Sequence, residues 1–236
     1  MSNCNNCPSK DSCSKPAESC GIENNPLNNV KKIIGVMSGK GGVGKSSISV
    51  LIAKRLKQLG YSTGVLDADI TGPSVPKLIG LKDKKVNSDG KLMYPVETDE
   101  GIKVMSLNLL MENENDPVIW RGPMLGGVVK QFWTDVLWKD LDYLVIDMPP
   151  GTGDAQLTLA QSVPVSAGIN VTTPQHVALD DSKRSLDMFK KLLPRIYMII
   201  EEINRRFCSE VFDRYNGNWS KVNKMSIISN NNLRMA

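Results

Sequence analysis

The segment Ser38-Gly39-Lys40-Gly41-Gly42-Val43-Gly44-Lys45-Ser46 carries the chemistry of a phosphate site, because Gly39, Gly44, Lys45 and Ser46 satisfy the pattern G-x-x-x-x-G-K-S/T in full. Glycines let the backbone curl so that successive N–H groups point at phosphate oxygens, and a helix that begins where the loop ends adds its partial positive charge. The expected nucleotide-binding set is Gly39, Lys40, Gly41, Gly42, Val43, Gly44, Lys45, Ser46 and Ser47. In that set Lys45 neutralises the β- and γ-phosphates of ATP and Ser46 reaches Mg2+. Lys40 is a second lysine inside the loop, one that an ordinary phosphate loop does not require.

Two carboxylate sites extend the pattern. Asp67-Ala68-Asp69 follows an apolar run, and Asp147 ends the run Leu144-Val145-Ile146. Both fall at the carboxyl ends of expected strands, where open α/β sheets bind their ligands. A third cluster lies far ahead of the loop: Cys4, Cys7, Cys13 and Cys20 are four of the five cysteines. Their thiolates suffice for a 4Fe-4S cluster or a tetrahedral Zn2+, and spacing does not choose between the two.

These residues need a scaffold, and the apolar pattern describes one. Lys32 to Met37 reads as a buried strand leading into the loop; Ile48, Leu51, Ile52, Leu56 and Leu59 then recur at helical spacing over Ser46 to Leu59, before Gly60. Further strands are expected at Thr63 to Asp67, Ile102 to Leu107, Tyr143 to Asp147 and Gly168 to Thr172. Helices are expected at about Met124 to Trp138, Ala155 to Ser162 and Leu179 to Leu193. Alternating strands and helices imply an α/β fold with a mostly parallel, twisted sheet and helices on both faces. Lys82 to Glu100 reads as a surface excursion, and no element is defensible from Phe212 to Ala236. The division expected is a Cys-rich tail over 1–30, an ATPase domain over 31–203 and a divergent C-terminal tail over 204–236.

Composition narrows the setting. The chain has 236 residues, 41% hydrophobic and 23% charged, ordinary for a globular protein. Its 29 basic against 25 acidic residues give a net charge of +4 without a dominant basic run, so neither nucleic acid nor membrane is an expected partner. No stretch approaches the ~20 apolar residues of a membrane span, and the N-terminus lacks the apolar core of a signal peptide, which places the expectation in the cytoplasm. In that reducing compartment clustered cysteines point to metal or redox chemistry rather than disulfides.

With Lys40, the loop Ser38 to Ser46 resembles the deviant phosphate loop of MinD-like ATPases. That resemblance implies a nucleotide-sandwich dimer in which Lys40 reaches the partner's phosphates, with the logic of an arginine finger in trans. It also implies that Asp69 positions or activates the attacking water and that Asp147 holds Mg2+ through water. Longer strings narrow it further: Asp67-Ala68-Asp69-Ile70-Thr71-Gly72-Pro73-Ser74, Ile119-Trp120-Arg121-Gly122-Pro123-Met124, Asp147-Met148-Pro149-Pro150-Gly151-Thr152-Gly153-Asp154 and Thr172-Thr173-Pro174-Gln175. Together they resemble the Mrp/Nbp-type iron-sulfur cluster carrier ATPases from about Lys32 to Leu193. The implied function is a homodimeric, or sometimes heterodimeric, slow ATPase that binds a labile cluster and passes it to apo-proteins. Some members carry an N-terminal cysteine cluster such as Cys4, Cys7 and Cys13. Their C-terminal CxxC pair is absent, since Cys208 is followed by Ser209, Glu210 and Val211. Two other readings remain open: a MinD- or ParA-like positioning ATPase, and a nucleotide switch with a Zn2+-binding tail.

Overall fold

The computed structural model describes residues 25–70, 72–81, 84–111, 122–173, 175–190, 196–200 and 227–229. Cys4, Cys7, Cys13, Cys20 and Cys208, and the string Ile119-Trp120-Arg121, lie outside the described residues.

Strands β1 (Asn29–Met37), β2 (Thr63–Asp67), β6 (Lys103–Ser106), β7 (Asp140–Asp147), β8 (Ala167–Thr172) and β9 (Ile196–Ile200) run parallel to one another. Two short strands, β5 (Val96–Glu97) and β10 (Ile227–Ser229), pair antiparallel at the edges, giving the order β10-β9-β8-β1-β7-β2-β6-β5. The helices are α1 (Lys45–Gln58), α2 (Val75–Leu78), α3 (Gly122–Thr134), α4 (Asp154–Ser162) and α5 (His176–Phe189).

Successive side chains of a strand point to opposite faces, and the core divides accordingly. Met37, Leu66, Leu144 and Ile146 pack with Phe132 and Trp133 of α3, Leu159 of α4 and Phe189 of α5. Val36, Val65 and Val145 pack with Ile48 and Ala53 of α1 and Val75 of α2 on the other face. All five β2 residues are buried, the signature of a strand covered on both faces.

Several boundaries differ from the sequence expectation. Helix α3 ends at Thr134 rather than Trp138, because Val136 and Trp138 are buried by an extended segment: the Met93 N–H donates to Asp135 O and the Leu137 N–H to Met93 O. The stretch 82–100 is more than an excursion: β3 (Asn87–Ser88) and β4 (Met93–Tyr94) form a hairpin, and β5 extends the main sheet. Helix α5 starts at His176, three residues ahead of the first apolar repeat at Leu179, and ends at Phe189. Strands β9 and β10 continue the sheet beyond Leu193, where no element was expected.

Composition assigned 25–30 to the tail, yet Asn25 and Asn28 are buried. The Asn25 amide donates to Thr134 O and the Asn28 amide to Val136 O, each at 2.8 Å. Polar side chains make this junction, so hydrophobicity could not reveal it.

Candidate functional site

Strand β1 delivers the chain to the glycine-rich loop at the carboxyl edge of the sheet, and α1 begins at Lys45. Gly42 and Gly44 have φ of 78° and 86°, in the left-handed region where a Cβ is strained, and these two turns wrap the loop over the start of α1. Gly39 is needed for a different reason. A Cβ there would lie 2.4 Å from the Asp181 carbonyl carbon and 2.6 Å from the Ser182 nitrogen, both backbone atoms of α5. Gly39→Ala therefore forces loop and helix apart; overpacking of this kind costs about 1–3 kcal/mol. The expected outcome is a lower melting temperature in thermal unfolding together with weaker nucleotide binding.

The register of the sheet sets Val36, Asp147 and Asp67 side by side on β1, β7 and β2. Asp147 is fully buried. Its Oδ2 accepts a hydrogen bond from Ser46 Oγ at 2.6 Å, and its Oδ1 accepts one from Ser49 Oγ at 2.8 Å. Lys45 Nζ lies 3.0 Å from Asp147 Oδ1 and 3.4 Å from Asp69 Oδ2. The ammonium is buried and meets no acceptor at full hydrogen-bond geometry among the described residues. The two carboxylates hold it by charge, and its N–H groups can turn to a ligand that brings oxygens. That property fits a polyphosphate. Ser46 and Asp147 are hard oxygen donors in mutual contact, the donor type that Mg2+ takes, so the residues fit that ion as well.

Asp67 differs from its neighbours. It is fully buried; its Oδ1 faces the Asp69 N–H at 3.2 Å, and its Oδ2 accepts from the Val75 N–H at 3.1 Å and from Ser106 Oγ at 3.3 Å. Burial first, and then the charge of Asp147, push its carboxyl up to about 7. An acid whose folded pKa exceeds its unfolded value of 3.8 binds more protons when folded, so its contribution to stability falls as pH rises from 3.8 and is lost above about 7. Against Asp67→Asn, which cannot ionise, the wild-type protein is expected to lose stability progressively across that window. Paired unfolding curves over a pH series measure this, and parallel curves would contradict it. With its three hydrogen bonds Asp67 fixes the entry to α2 and the position of Asp69, a stronger structural role than residue type alone suggested.

A pocket of about 360 Å3 opens beside these groups, lined by the glycine-rich loop from Ser38 to Ser47 together with Asp69, Ser74, Leu78 and Pro150. Six of the nine expected nucleotide-binding residues thus line one cavity, and Gly39, Lys40 and Val43 do not. Lys40 is half-buried, and among the described residues its side chain makes no ion pair. Val43 is buried in the core and supports the loop from beneath. Ser49 was missed in the sequence: it is one turn after Lys45 on the buried side of α1, and the i, i+4 spacing from Lys45 is the signal that could have found it. Among the described residues no group of three or more metal-ligating His, Cys, Asp or Glu side chains occurs, and no helix is long and apolar enough to cross a membrane.

The comparisons with known proteins agree with this geometry. The family model of the NUBPL iron-transfer P-loop NTPases, of the ParA group, matches residues 29–233. The match therefore runs past Leu193, the end of the resemblance read from the sequence, through the region of β9 and β10. An iron-sulfur cluster carrier protein of Helicobacter pylori is 50% identical over 206 residues, covering 84% of this chain and 55% of that protein. A protein of the same description from Clostridium perfringens is 44% identical over 217 residues, covering 86% of this chain and 76% of its own length. The chain thus spans about half the length of the Helicobacter relative and three quarters of the clostridial one. Among solved structures, a nucleotide-binding protein of Archaeoglobus fulgidus in complex with ADP is 37% identical, with a TM-score of 0.58 over 71% of this chain and 65% of that one. The MinD cell division protein of Aquifex aeolicus shares the fold at 19% identity, with a TM-score of 0.54 over 76% of this chain and 73% of its own.

Proposed function

Because the chain belongs to the NUBPL iron-transfer P-loop NTPase family, we propose that it binds ATP with Mg2+, hydrolyses it slowly as a homodimer, and carries an iron-sulfur cluster that it delivers to apo-proteins. The observation that supports this most is the buried Lys45 ammonium, charge-paired with Asp147 and Asp69 but without an acceptor at full hydrogen-bond geometry among the described residues, in a pocket walled by the glycine-rich loop.

On ATP binding, Lys45 exchanges its carboxylate neighbours for phosphate oxygens. The N–H groups of Gly41 to Ser47 and the start of α1 receive the remaining phosphate charge. Magnesium, when bound with the nucleotide, neutralises phosphate charge beside Ser46 and Asp147. Ser49 holds the Asp147 carboxylate in place, since it donates to the oxygen that Ser46 does not use. Asp69, anchored by its backbone to Asp67, orients the attacking water and accepts its proton. Lys40 acts across the dimer on the partner's phosphates as charge develops there. Its half-exposed place in the loop and the exposed Leu78 of the pocket lining suit a face covered by a second copy. Cys4, Cys7, Cys13 and Cys20 hold the cargo, a 4Fe-4S cluster.

The test is transfer. Full-length protein loaded anaerobically with iron and sulfide is mixed with a 4Fe-4S apo-ferredoxin, with and without ATP and Mg2+. The acceptor is expected to gain its cluster at a rate that nucleotide alters. A loaded protein that never gives up its cluster would overturn the carrier role.

A further inference from the structure

Beyond the loop and its carboxylates, one buried polar side chain joins the phosphate loop to the segment that follows Asp147. Gln156, on the first turns of α4, is 1% exposed. Its Nε2 donates to Pro149 O and, at 3.5 Å, to Ser38 O. Its Oε1 is buried and has no partner among the described residues. Glutamine is seldom enclosed so completely, and an amide held by one end is a costly way merely to fill space.

The surroundings indicate what it does. Residues 148–151 are tied to β1 and the loop base at two further points: the Met148 N–H donates to Val36 O and the Gly151 N–H to Ser38 O, both at 2.9 Å. Pro149 and Pro150 have no N–H to give, so a side chain must secure this part of the turn. Ser38 O, the last carbonyl before the glycine-rich loop, is therefore shared between Gly151 and Gln156. Pro150 lines the nucleotide pocket. A shift of the loop base is passed to Gly151 through its own N–H and to Pro149 through the Gln156 amide, and the unpartnered Oε1 leaves that amide a second hydrogen bond to form in a rearranged turn.

We propose that Gln156 is a positioning residue for hydrolysis, a latch that holds the turn 149–151 in register with the phosphate loop so that the pocket wall follows the state of the nucleotide. It does not touch the reacting atoms, and its contribution to turnover rests on the ATPase reading above. Positioning groups one step removed from a metal or nucleophile typically account for 10- to 100-fold in activity.

The experiment compares full-length wild type with Gln156→Met, which keeps length and apolar volume but donates nothing, and with Gln156→Asn, which keeps the amide on a shorter stem and guards against a methionine variant that fails to fold. Three quantities are read: kcat for ATP hydrolysis with Mg2+, equilibrium ADP affinity, and hydrogen exchange of the segment 148–155. In Gln156→Met, kcat is expected to fall about tenfold or more while ADP affinity stays within about threefold, and exchange at 148–155 to accelerate selectively. Gln156→Asn is expected to lie between the two. Unchanged kcat and exchange in a folded variant would overturn the latch. So would a loss of ADP affinity and a rise in exchange across the whole domain in step with kcat, since that pattern marks Gln156 as structural only. Should wild type itself show no hydrolysis, the ATPase reading fails, and the exchange of 148–155 still decides whether the latch exists.

Discussion

Lys45→Ala is expected to remove measurable ATP and ADP binding while leaving a folded protein. The Lys45 ammonium is buried 3.0 Å from one carboxylate and 3.4 Å from another, and its N–H groups can turn from these to phosphate oxygens. Truncating one member of a buried, hydrogen-bonded charge pair costs about 2–5 kcal/mol, roughly thirtyfold to several thousandfold in Kd. The same change leaves Asp147 with two serine hydroxyls and no cation, a further obstacle to bringing a triphosphate into the pocket. Equilibrium binding of a fluorescent ADP analogue measures the loss, with thermal unfolding of the free protein as the control for folding. Affinity within a few-fold of wild type would show that the loop backbone alone holds the phosphates.

Lys40→Ala is expected to produce the opposite split. Lys40 forms no ion pair among the described residues, and it stands on the loop half-buried, so removing it leaves the Lys45, Ser46 and Asp147 arrangement untouched. Nucleotide affinity should stay within a few-fold. Turnover should fall by about 10^3, the lower end of what a cation supplied in trans contributes to phosphoryl transfer. Steady-state hydrolysis measured beside ADP affinity separates the two effects. Adding Lys40→Ala protein to a second, hydrolysis-deficient variant with Lys40 intact, Asp69→Asn, should restore part of the activity if the lysine acts across the dimer. Parallel loss of binding and turnover would instead make Lys40 another phosphate ligand of its own subunit.

The phosphate site was legible in the sequence because its parts are local. The loop, its flanking strand and helix, and the carboxylates Asp67, Asp69 and Asp147 at strand ends are short-range signals, and the parallel register brings them together. What the sequence hid depends on pairing across the fold. The edge strands β5 and β10 are two and three residues long, too short to show a period, and exist through antiparallel partners. Val136 and Trp138 extended an apparent helix until their burial in an extended segment ended it at Thr134. Ser49 and Gln156 are ordinary helix polar residues by type; burial against Asp147, Pro149 and Ser38 is what gives them a role. Asp67 stands at an expected strand end like the other carboxylates, and the Asp69, Val75 and Ser106 contacts make it the residue that shapes the site without lining the pocket. The cysteines Cys4, Cys7, Cys13 and Cys20 are the reverse case. Their residue types and spacing speak for a metal, whereas they lie outside the described residues.

Metal and sulfide analysis of the full-length protein purified without oxygen therefore bears most directly on the cargo. Iron and acid-labile sulfide in equal amounts, about four of each per cluster, are expected in wild type and strongly reduced in the Cys4→Ala, Cys7→Ala double variant. Zinc without sulfide, or iron content unchanged by the double replacement, would contradict a cluster held on the N-terminal cysteines.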